Sequence, residues 1–334
     1  MSLQQRLIPL ENRLDWQRAL TGIPHAFAHT WESCHAMHLS TGYPTFLYVG
    51  EKGEDRVLCP LAERHFSGYV DIVTPYGFGG FVGQADENTL ASWRDFSCQQ
   101  EWVSAFIGLN PLFVPDVCCQ QLDYSEYNDI FVVDLSRGLN ELHWNLSPTR
   151  RRQIDAAFSN TEWLLEDREQ LATFFLNHVS KFLEEKAGGR SFVFSCETLE
   201  ALLSLDNTLL FGGGRLGRVD VVSVFAYTPY CAEYLFNVSL KEGRSLSAAV
   251  LWSAVKKLHS IGVPLLNLGG GIRRGDGVAR FKRRFGAKQL PLGSLRSVFR
   301  HDVYNSLCSR TGSDLANQAA YFPAYRRNLP LAVG

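Results

Sequence analysis

Apolar positions in the second half of the chain recur at two spacings that stay separate. Over 246–258 they return at helical intervals, with Leu246, Val250, Ala254 and Leu258 on one stripe. Ser245 stands where a cap belongs, and Gly262 with Pro264 ends the run. Upstream the spacing is alternate, predicting strands at Thr208 to Phe211, Val219 to Tyr227 and Ala232 to Leu240. In the third, Ala232, Tyr234, Phe236, Val238 and Leu240 share one face and Glu233, Leu235, Asn237 and Ser239 the other. A short apolar strand, Leu265 to Leu268, then enters Gly269, Gly270 and Gly271. Helices over Asp167 to Lys186 and Cys196 to Leu205 precede the strands. Antiparallel strands, then a helix, then a strand make an α/β lobe.

The first half reads as a second lobe of the same class. An apolar segment at Arg6 to Leu10 precedes helices at Asp15 to Leu20 and His29 to Met37, separated by Gly22 and Pro24. Strands are predicted at Phe46 to Val49 and Val57 to Leu61, a helix at Asn88 to Glu101, and strands in WVSAFIGL and NDIFVVDL. Between them TPYGFGGFVG carries Tyr76, Gly77, Gly79 and Gly80, a glycine density that lets backbone approach backbone or ligand closely. The segment from Arg137 to Ser159 is helical in character, with Ser147-Pro148 as an entry, and connects the lobes. The expected division is 1–145 and 146–334, with 146–160 as the connecting helix.

Composition narrows the class. With 334 residues, 46% apolar and 20% charged, the chain has material for two cores and none of the bias of a disordered one. Its 33 basic and 34 acidic residues exclude uniform basicity and with it simple non-specific nucleic-acid binding. From Gly271 to Arg300 the balance differs: nine Arg and Lys stand against Asp276 alone. That stretch is either a solvated face or an anion site. Eight cysteines show neither CxxC pairs nor zinc spacing, so reduced thiols and no metal are expected. MSLQQRLIPL lacks the apolar core of a signal peptide and no run reaches spanning length, so a cytoplasmic protein is expected.

LNLGGGIRRGDGVARFKRRFGA, from Leu266 to Ala287, resembles the signature of the FemAB-like family of the GNAT acyltransferase superfamily: a GGG strand end, a variable stretch and FKxxFG. TPYGFGG resembles the PYGYGG element of that family's first halves. The resemblance implies an α/β (α+β) fold of two GNAT-like lobes, each a mainly antiparallel mixed sheet with flanking helices, facing a cleft. It also implies transfer of an acyl or aminoacyl group to an amine of a cell-envelope, sugar or peptide precursor. No permanently bound cofactor is implied, and the donor is either aminoacyl-tRNA or acyl-CoA. An acyl-CoA-dependent N-acetyltransferase is a second reading. A non-catalytic protein binding an anionic precursor is a third.

Asp276 is expected to cap a short helix with Val278, Phe281 and Phe285 on its apolar stripe and Lys282 on the stripe's border. Lys282 there either snorkels to water or points into a cleft. The FKxxFG match favours the cleft, where an ammonium suits a developing oxyanion. Glu233 is the candidate base by analogy, against a solvent-facing carboxylate. Tyr234 and Asn237 fall on the element resembling the family's substrate-facing strand, with Tyr234 equally suited to the core. Gly269, Gly270, Gly271 and Phe281 complete the expected site, and Tyr76, Gly77, Gly79 and Gly80 are expected at the cleft. KEGRSLSAA matches the ends of the GNAT pyrophosphate loop at Arg244 and Ala249, but Ser247 replaces its first glycine. Arg244 remains a phosphate candidate. Arg150, Arg151 and Arg152 either line a cleft or are solvated.

Overall fold

A computed structural model describes residues 3–187, 194–313 and 321–327. The chain forms two compact units, Met1–Tyr127 with Leu292–Gly334, and Asn128–Pro291. In chain order the elements are β1 (Gln4–Pro9), α1 (Arg13–Leu20), α2 (Trp31–Thr41), β2 (Thr45–Lys52), β3 (Asp55–Phe66), β4 (Tyr69–Val73), β5 (Val82–Gly83), α3 (Glu87–Gln99), β6 (Ser104–Leu109) and α4 (Asp116–Cys119). Then follow β7 (Tyr124–Asp134), α5 (Leu139–Asn145), α6 (Pro148–Phe158), β8 (Leu164–Leu165), α7 (Arg168–Ala187) and α8 (Cys196–Leu203). The last are β9 (Thr208–Arg215), β10 (Arg218–Tyr227), β11 (Ala232–Ser239), α9 (Ser247–Ser260), β12 (Leu265–Asn267), α10 (Gly277–Arg283), β13 (Lys288–Val298) and α11 (His301–Arg310).

The first unit orders its sheet β1-β2-β3-β4-β6-β13, antiparallel except for the parallel pair β4/β6, with β5 beside β3. The second orders its sheet β8-β9-β10-β11-β12-β7, antiparallel except for β11/β12. Each unit is therefore a four-strand meander, a helical crossover, a fifth strand parallel to the fourth and a sixth antiparallel to the fifth. The expected three strands 208, 219 and 232 are neighbours and lead into the expected helix.

Several expectations change. The single boundary at 145/146 becomes two crossings, because β13 pairs with β6 over Gly293–Val298 and carries the C-terminal stretch into the first unit. The segment 137–159 is two helices, broken at Leu146, with the Ser147 hydroxyl accepting from Arg150 N at 3.4 Å. Ser245 does not cap α9; Glu242–Ser245 is a 3-10 turn running into the helix, whose cap position Leu246 offers no side-chain acceptor. The basic stretch 271–300 is shared between the units: Arg296 and Arg300 belong to the first and the residues before Leu292 to the second. The second unit's core gathers Phe131, Val133, Leu251, Val255, Leu258 and Leu266 from β7, α9 and β12. No helix among the described residues is long and apolar enough to cross a membrane.

Candidate functional site

The site grows out of the strand end that follows β12. Gly269 has φ +70°, left-handed backbone that favours glycine. A Cβ on Gly270 would stand 2.5 Å from Asp129 O, and one on Gly271 would overlap the Asp276 carboxylate. These glycines thus admit close approach by β7 and by the cap of α10. Their carbonyls are engaged as well: Phe131 N donates to Gly269 O at 3.2 Å and Asn128 Nδ2 to Gly271 O at 2.8 Å.

Asp276 caps α10 as expected, accepting from Ala279 N and Ile272 N at 2.8 Å and Arg273 N at 3.2 Å. Although burial pushes its carboxyl upward, these backbone donors hold it below the usual carboxylate range. The helix turns its buried side to Ala279, which leaves Val278 partly exposed, not on a core stripe.

Lys282 Nζ donates to Gly270 O at 2.7 Å. Burial pulls its pKa down to about 8, with the Asp276 charge opposing. The side chain therefore reaches inward to the glycine strand and does not snorkel to bulk water. Beneath it, the Phe281 and Phe285 rings lie 5.4 Å apart, and the Arg150 guanidinium sits 4.4 Å from one and 5.1 Å from the other. Arg150 is 7% exposed, so one of the three arginines is enclosed, not solvated. Burial and the Arg284 charge bring it down to about 10. Ser147 N also donates to Arg284 O at 2.9 Å, tying the start of α6 to the end of α10.

A cavity of about 420 Å³ opens beside Lys282, between β11 and α10. Tyr234, Asn237, Arg244, Phe281 and Lys282 line it, joining five expected site residues in one place. Sequence reasoning missed Phe182, Leu235, Phe236, Ser239, Ser247, Ile272, Gly277 and Val278. Their apolar or small side chains read as core or turn, and only their neighbours' motif could have marked them. Tyr234 is both core and wall: its ring stacks on Phe225 at 4.7 Å, and its hydroxyl lies 3.3 Å from Ser223 Oγ. Asn237 Nδ2 donates to Ser223 Oγ at 2.9 Å. Burial raises the Tyr234 phenol to about 12, so it stays protonated.

Glu233 faces no solvent. It is 1% exposed, in register with Asn267, and is not among the residues lining the cavity. Tyr76, Gly77, Gly79 and Gly80 belong to the first unit. There Asn110 holds their loop, its N donating to Gly79 O at 2.9 Å and its Nδ2 to Phe78 O at 2.8 Å. Gly80, at φ +99°, lies so close to Gly108 O that a Cβ would overlap it, while the Tyr76 ring is 54% exposed.

No protein-family model matches the chain, and no curated protein sequence matches it. Solved structures do match. FemX superposes with a TM-score of 0.68 at 10% identity, over 91% of this chain and 99% of FemX. A conserved protein of unknown function from Bacteroides thetaiotaomicron gives 0.58 at 9% identity, over 89% and 100%. L-PGS from Bacillus licheniformis gives 0.50 at 12% identity, over 84% and 96%. The chain has the fold of FemX, which the GGG and FKRRFG elements led one to expect.

Proposed function

We propose that the chain transfers an acyl or aminoacyl group from an activated carrier to an amine, with Lys282 as the group that stabilises the transition state. The observation that carries this is the fixed ammonium: Lys282, whose Nζ is held 2.7 Å from Gly270 O, lines a cavity large enough for a substrate group. An amine lone pair attacks the donor's carbonyl carbon, and negative charge gathers on the carbonyl oxygen. Lys282 has further N–H groups to offer that oxygen, and its tether means little reorganisation is needed as the charge forms. Collapse expels the carrier with its bonding electrons, the amine's proton balances that charge, and an amide remains.

Glu233 would receive that proton only through an intervening water, because its carboxylate is enclosed in β11. Arg244, exposed on the connection into α9, is proposed to hold an anionic part of the carrier. The FemX fold supports the reading, and the acceptor proposed is an amine of a cell-envelope, sugar or peptide precursor, as the FemAB-like resemblance implies. The test is a mass-spectrometric screen for amide formation with acyl thioesters and aminoacyl-tRNAs against amine acceptors. Product from the parent chain and from Arg283→Met, but not from Lys282→Met, is the expected pattern. Equal product from Lys282→Met overturns the mechanism.

A further inference from the structure

We infer that the cavity beside Lys282 selects a neutral, apolar acyl group longer than acetyl and discriminates against one bearing a free ammonium. The inference rests on the proposed function, since it specifies the group that the cavity takes. Phe236, Phe281, Ile272 and Val278 supply apolar wall, and the charged lining residues are Lys282 and Arg244, both cationic. Among the described residues no carboxylate lines the cavity.

Two acids of the elements flanking the cavity are committed elsewhere. The Asp276 carboxylate is occupied by the backbone donors of Ile272, Arg273 and Ala279, and Glu233 is enclosed in its strand. An α-ammonium entering here would leave water, find no carboxylate among the described lining residues and meet two like charges. A methylene chain entering the same space leaves water for apolar wall, which favours it. At about 420 Å³ the cavity would remain mostly empty around an acetyl group.

The experiment compares hexanamide with norleucinamide, which share chain and carboxamide and differ by the α-ammonium. Binding to the full chain is measured at pH 6.5 by saturation-transfer NMR and titration, with acetamide as the short control. Hexanamide should bind at least ten-fold more tightly than either. Val278→Trp, at a partly exposed lip where the fold tolerates bulk, should abolish hexanamide binding. Arg244→Gln should narrow the hexanamide-to-norleucinamide ratio several-fold. Equal or tighter norleucinamide binding, hexanamide binding that survives Val278→Trp, or no binding of either probe overturns the inference. Because binding is read without turnover, this result is separable from the Lys282→Met assay. An active Lys282→Met chain removes the transfer mechanism and leaves the binding preference to stand or fall alone.

Discussion

The two units repeat one topology and treat its weak point in opposite ways. In each, the parallel pair is short: Ile72↔Ala105 and Val73↔Phe106 in the first, Ala232↔Leu266 and Glu233↔Asn267 in the second. Beyond those positions the strands part, and the following loop leads to a crossover helix. In the first unit that loop is TPYGFGG, laid back against β6 by the bonds from Asn110 and Gly108 and by the close seat of Gly80. In the second it is the connection 240–246, which leaves the space beside β11 open as the Lys282 cavity. One parting is filled with the chain's own backbone and the other is left open. In TPYGFGG the glycines serve close packing of protein on protein, whatever else the loop does.

The comparison breaks most sharply at Lys282. Lys282→Met should lower kcat by about 10² to 10³ while the urea unfolding midpoint holds, the usual loss when one oxyanion stabiliser is removed. Arg283→Met, whose guanidinium bonds Gln289 on the exposed side, should leave kcat within about two-fold. In the filled unit the damage should be to stability. Gly80→Ala places a side chain at φ +99° against Gly108 O and should cost about 1–3 kcal/mol by chemical denaturation, with hexanamide binding unchanged.

Asn110→Ala frees the Phe78 carbonyl and should cost about 1 kcal/mol. A larger loss of ligand binding than of stability in either variant would show that TPYGFGG serves the site.

The remaining effect is in pH. The unfolded chain keeps the Lys282 proton to about its ordinary 10.5, and the native chain releases it near 8. Between those values the unfolded state binds more protons, so raising pH through the window favours folding. The parent should gain stability relative to Lys282→Met from pH 8 to 10.5, while turnover falls as the ammonium is lost. Parallel stability curves for the two chains would remove the burial of Lys282.

What the sequence makes legible is what repeats locally. The alternation from Thr208 to Leu240 and the stripe of Leu246 to Leu258 specify strands and helix without reference to the rest of the chain, and both are present. The Asp276 cap is legible for the same reason. β13 is not, because Pro291 and Gly293 disguise a strand whose partner lies about 190 residues earlier. Arg150 is also invisible: three successive arginines look solvated, and nothing local tells that the first is covered by Phe281 of α10 and Phe285 just beyond it. The glycines were legible as glycines needing room, but the group claiming that room is Asp129 O at Gly270, set by tertiary pairing.

The late arrival of β13 has a consequence for biosynthesis. β6 leaves the ribosome with one edge bare, and the strand that covers it, ending at Val298, follows only after the entire second unit. At about 5–20 residues per second, that wait lasts roughly 10 to 40 s. Throughout it the nascent chain presents an open β-edge that any extended segment could pair with. A truncation at residue 127 would make this exposure permanent, so the first unit should be recovered from cells as aggregate unless 292–334 is supplied with it.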